Sequence, residues 1–154
     1  MADIFSVPTF DPQDRINEAV DESKGHIHRL FMIGIFLGFS VAAWGLGRAF
    51  QSTYIVSAIL LRQRRISWET IAAVRSITML AAYLSFCIAL ALCIVSAYSL
   101  PAWRARYGSI QTDDVDFVEA KRSWKTAVSL LALAATISLI ILLLFWFFPV
   151  IIFA

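Results

Sequence analysis

Few side chains in this sequence belong to the types that carry out chemistry, and their spacing limits what they can do together. The only two histidines are His26 and His28. A His-Ile-His pair can give two ligands to a surface metal but needs others from elsewhere, so the plainer reading is a protonatable pair beside an apolar stretch. Cys87 and Cys93 stand six apart, roughly 240° around a helix at about 100° per residue. They cannot bridge to each other, and with no polar neighbour to lower a thiol pKa they read as small buried hydrophobes. Asp113, Asp114, Asp116 and Glu119 lack the alternating oxygen ligands and closing bidentate Glu of a calcium loop. They read as the solvated start of a helix. The sequence holds no nucleophile elbow, phosphate loop, dinucleotide fingerprint or metalloprotease helix. No catalytic residue, cofactor site or metal site is therefore expected.

Composition explains this poverty. The chain has 154 residues, 60% hydrophobic and 16% charged, with a net charge of +2 and a mean hydropathy of +0.75. Soluble domains are nearer one half apolar and one quarter charged. Disorder, a disulfide scaffold and a basic nucleic-acid-binding face are all excluded. What remains is an all-α, polytopic membrane protein, and a bacterial or organellar inner membrane suits it best.

Three charge-free stretches meet the roughly 20 residues needed to cross about 30 Å of hydrocarbon. They predict spans at about 30–50, 72–100 and 124–148, a transmembrane domain over 30–154 and a polar tail over 1–29. No Asp or Glu lies inside a span, which argues against proton-coupled transport. The apolar segment TYIVSAILL at 53–61 is too short to cross and reads as an extension of the first helix or an interfacial piece. A cleavable signal peptide is not expected behind so long and acidic a tail.

Local signals set the predicted helix ends. Asp11 before Pro12 reads as a cap and Gly25 as a stop, giving a short amphipathic helix over about 12–24 whose edge of Ile16, Ala19 and Val20 can rest on a membrane or a partner. Pro101 should end the second span, and Thr112 should cap the next helix. That third helix then meets no breaker before Pro149. Its ~54 Å length exceeds the bilayer core, so its first turns must stand in water.

Two kinds of residue remain to position the chain. Gly34, Gly38 and Ala42 in the first span, and Ala81, Ser85, Ala89, Cys93 and Ala97 in the second, repeat every four residues. Such small-residue stripes let helix backbones approach closely in lipid. Arg48, Arg62, Arg64, Arg65 and Arg75 at one set of span ends, and Lys121, Arg122 and Lys125 at the other, suit headgroup contacts with anionic lipids. Together these features imply a non-catalytic accessory subunit that packs against other membrane subunits and binds lipid. The competing expectation is a small self-associating pore, which needs a continuous polar face along a span.

Five basic residues fall on the side of the first loop and eight on the side of the tail and second loop. The positive-inside rule then puts the N-terminal side in the cytoplasm or its equivalent. Cysteines introduced at Ser67 and Ser109 and labelled in sealed, right-side-out vesicles check this. Ser67 should react and Ser109 should be protected; the reverse pattern refutes the orientation.

Overall fold

A computed structural model describes residues 12–52, 56–59, 62 and 67–148. Among these, three helices carry the fold: α1 (Pro12–Gln51), α2 (Trp68–Tyr107) and α3 (Val115–Phe147). All three are long and apolar enough to cross a membrane, and no strand occurs among the described residues. The order is up, down, up, with α1 packed chiefly along α2 and α3 lying against the pair. Arg64 and Arg65, the Asp11 cap, Pro149 and most of the 53–61 segment lie outside the described residues. Val56 to Ile59 are helical, with Val56 buried.

The three helices share one packing rule. Along α1 the buried positions are Ile16, Ala19, Ser23, His26, Ile33, Leu37, Ser40, Ala43 and Gly47, with half-buried Leu30 between, so every step is three or four residues. Ala82, Ala89, Ser96 and Trp103 recur every seventh residue on α2. On α3, Phe117, Ala120, Ala127, Ser138, Ile141 and Phe145 keep the same beat. A 3.5-residue repeat is the seam of a left-handed bundle, in which small and large knobs fill the facing holes.

This seam overrides two predicted breaks. Gly25 does not end a short helix; α1 runs through it without interruption. A glycine inside a helix costs about 1 kcal/mol, and the seam contacts of Ser23 and His26 on one side and Ile33 on the other outweigh that. The tail segment is therefore the first part of α1, with Ile16 and Ala19 packed on Trp103, Tyr107, Phe117 and Ala120. Pro101 likewise sits inside α2, which continues to Tyr107. There the Trp124 indole N–H, 2.8 Å away, donates to the Leu100 carbonyl beside the proline. The third helix starts slightly later than expected. Asp114 is its cap, accepting from the Asp116 amide at 2.9 Å, while Thr112 accepts from the Asp114 amide.

Two cores result. The membrane core joins Ile33, Leu37, Ala82, Phe86, Ala89, Ile141 and Phe145, with the Phe145 ring edge-on to Tyr83 and Phe86 at 5.1 and 5.4 Å. The second core joins Ile16, Ala19, Trp103, Tyr107, Phe117 and Ala120. It belongs to a stalk outside the apolar window. Arg29 and Arg48 bound that window on α1, about 28 Å apart at the usual helical rise, which matches the hydrocarbon thickness. Exposed Tyr98 on one side and exposed Trp146 on the other fall where interface aromatics belong.

The four-residue stripe of α2 is only partly the packing face. Ser85 and Ala89 are buried, Ala81 and Cys93 half-buried, and Ala97 exposed. A four-residue step overshoots the helical turn by about 40°, so a stripe centred on Ala89 rotates out of the seam within two steps. Ala89→Leu should accordingly lower thermal stability in detergent by about 1 to 3 kcal/mol, because Ala89 is 0% exposed. Ala97→Leu and Leu142→Ala, at exposed positions, should shift the melting temperature far less. Equal shifts for all three would refute the seam.

Candidate functional site

Two places in the bundle are unlike ordinary packing. The first is a long groove between α1 and α3. It is about 1190 Å³ in volume, with Leu30, Gly34, Leu37 and Gly38 on one wall and Ala127, Leu130, Ala134 and Ile141 on the other. It exists because the small residues of α1 point away from α2. Gly34, Gly38 and Ala42 are all exposed, and a Cβ built on either glycine meets nothing within 4 Å. The GxxxG unit therefore forms a wall of an open groove rather than part of the α1–α2 seam. Ile33 and Leu37, each one residue before a glycine of the stripe, and Ser40 make the actual seam.

The groove is apolar along its membrane half and polar only at its outer mouth. Asp113, Glu119 and Arg122 are the charged residues that line it, with Ser123 and Thr126 just below them. Asp113, Glu119 and Arg122 are all exposed. Glu119 and Arg122 stand three apart on α3 and so lie on one face.

The second place is a buried polar layer in the α1–α2 seam. Two bonds fix the register of that seam. Trp103, 2% exposed, donates through Nε1 to the Ala19 carbonyl at 2.9 Å, and Ser40 donates to the Ala82 carbonyl at 2.9 Å. The same antiparallel register sets Ser96 opposite His26. His26 is 8% exposed and Ser96 1% exposed. Both ring nitrogens of His26, Nη1 of Arg29 and Oγ of Ser96 are buried and make no hydrogen bond to another protein group. A turn further out, Arg106 grips both oxygens of Glu22 at 3.2 and 3.0 Å, and Tyr107 donates to the same carboxylate at 3.4 Å. Burial, then the Arg29 charge, holds the His26 pKa below its ordinary value of 6.5; Glu22 opposes this and Arg106 adds to it.

The cations at the span ends divide into different environments. Arg62, Arg122 and Lys125 are exposed, while Arg48 and Arg75 are half-buried. The Arg48 guanidinium lies 5.7 Å from the Phe148 ring centroid. Lys121 is engaged within the stalk, donating to the Ile110 carbonyl at 2.9 Å and lying 5.1 Å from the Phe117 ring centroid. Among the described residues no group of three His, Cys, Asp or Glu converges to hold a metal ion. The stalk core of Ile16, Ala19, Trp103 and Phe117 is what a search for charge-free spans passes over. Its signal was the three-four spacing that begins at Ile16 and runs through Gly25. No family model, curated protein or solved structure matches the chain.

His26 generates a pH dependence whose sign follows from its lowered pKa. The unfolded chain binds a proton at His26 more readily than the fold does, so the stabilisation is complete above about pH 6.5 and is lost as pH falls through that value. The melting temperature in detergent should drop between pH 7.5 and pH 5, and His26→Leu should flatten that drop. An unchanged slope in the variant would remove His26 as its source.

Proposed function

We propose that this protein is a non-catalytic accessory subunit of a larger multi-subunit membrane assembly, in a bacterial or organellar inner membrane, where it holds lipid at the seam with neighbouring subunits. The observation that carries this reading is the open glycine wall. A close-packing surface of Gly34 and Gly38 faces an apolar groove that the chain's own side chains leave open. In lipid such a surface gains dispersion contacts only from a ligand or a partner.

The chemistry of the helices supports a role by position. The seam between α1 and α2 is filled with Ile33, Leu37, Ala82, Phe86 and Ala89, which gives no polar path along a span. The hydroxyls of Ser129, Thr136 and Ser138 in α3 bond back to carbonyls of their own helix at 3.2, 3.0 and 2.8 Å. A water-filled pore needs such groups turned toward a lumen, so their self-satisfaction favours the subunit over the self-associating pore. The basic residues Arg48, Arg62 and Arg75 on the far side, joined in sequence by Arg64 and Arg65, suit an anionic leaflet at about 1 kcal/mol each.

Extraction in mild detergent at native expression, followed by a native gel and mass spectrometry of the band, tests the proposal. The expected result is co-migration with other membrane proteins in fixed stoichiometry. Recovery as a free monomer, or as a homo-oligomer that conducts ions in planar bilayers, overturns it.

A further inference from the structure

We infer that the stalk carries an acid-operated latch, in which protonation of His26 draws the Glu22 carboxylate from Arg106 and Tyr107 on α2 to the imidazolium on its own helix. Three hydrogen bonds from α2 converge on Glu22. Both terminal nitrogens of Arg106 donate to it at 3.2 and 3.0 Å, and the Tyr107 hydroxyl donates at 3.4 Å. One turn along α1 lies His26, whose two ring nitrogens are buried without a hydrogen-bond partner. A Glu four residues before a cation is in the favourable order for pairing along one helix. The exchange therefore needs side-chain rotation and no shift of either backbone.

The groups around His26 offer its proton one acceptor among the described residues. Within four residues on α1 stand Glu22, Lys24, His28 and Arg29. On α2 the register sets Ser96 opposite His26 and Cys93 a turn deeper, with Arg106 and Tyr107 toward the stalk end. Gln13 on α1 bonds to Asp114 just before α3, and the same offset brings Ala127 to the level of His26, with Arg122 and Lys125 nearby but exposed. Glu22 is the one carboxylate in this set. An imidazolium buried beside Arg29 without an acceptor is costly, whereas the Arg106–Glu22 pair is exposed on its Arg106 side and worth little. The buried cation therefore wins the carboxylate. Arg106 returns to water, but Tyr107, 3% exposed, loses the acceptor of its hydroxyl beside Trp103 and Phe117 in the stalk core. A donor left unmade there loosens the stalk, while the membrane core, a separate cluster, keeps its contacts. Burial and Arg29 hold His26 neutral near pH 7.5, so the latch is closed there and opens toward pH 5.

Hydrogen exchange of the full chain in phospholipid nanodiscs tests the latch, read peptide by peptide between pH 7.5 and pH 5 and corrected for the chemical exchange rate at each pH. In wild type, exchange in the stalk segments 12–23 and 103–120 should rise about ten-fold as pH falls, the order expected for one lost hydrogen bond to a charged group. Peptides over 33–40 and 82–89 should stay unchanged. His26→Gln should remove the rise. Arg106→Gln, which frees Glu22 from its competitor, should move the midpoint of the rise to higher pH, and Glu22→Gln should move it to lower pH. No rise in wild type, a rise that persists in His26→Gln, or midpoints that the other two variants do not move in opposite directions overturns the latch. An equal rise in the membrane peptides overturns it as a device local to the stalk.

Discussion

The rest of the bundle is arranged around the antiparallel seam between α1 and α2, and two buried hydrogen bonds mark its register. Trp103 to the Ala19 carbonyl fixes it in the stalk, and Ser40 to the Ala82 carbonyl fixes it in the membrane. A slip of one residue would break both, and a buried donor left unmade costs about 1 to 3 kcal/mol. Between those points Ile33 meets Ala89 in one core, a large knob against a small one, so the backbones stay close along the whole contact. With α1 and α2 locked, α3 has only one surface to join. It lies along them through Phe117, Ala127, Ile141 and Phe145 and leaves the groove on its α1 side.

The bundle reconciles two solvents with one packing rule. Within the bilayer the hydrophobic effect between helices vanishes, so the seam there depends on close contact of Ala82, Ser85 and Ala89 with larger neighbours. In water the same heptad positions carry Ile16, Trp103, Tyr107 and Phe117, where burial of apolar area is itself favourable. At the junction the seam carries His26 and Ser96, polar groups that neither solvent would choose to bury. Arg106, Glu22 and Tyr107 seal the stalk just beyond them. The stalk core holds α1 against α3 at the charged end of the groove.

The groove is the one long face that this packing leaves open among the described residues. Gly34 and Gly38 keep its α1 wall low, and Asp113, Glu119 and Arg122 carry charge only at its stalk end.

The amino-acid sequence by itself determined the all-helical class and the three helices long and apolar enough to cross a membrane, because charge-free length and composition answer directly to the bilayer as solvent. It also marked Ser85 and Ala89 as packing positions. Tertiary structure decided the rest. Gly25 and Pro101 read locally as helix ends, yet seam contacts on both sides of each outweigh a local cost of about 1 kcal/mol for glycine and about 3 kcal/mol for proline. The stripes of small residues had to be assigned faces, and a four-residue repeat on a 3.6-residue helix cannot keep one face, so Ala97 turned outward. Whether Gly34 and Gly38 met α2 or open space depended on which side of α1 the register bonds of Trp103 and Ser40 drew toward α2. That choice is made by atoms more than forty residues away in sequence, and no local pattern contains it.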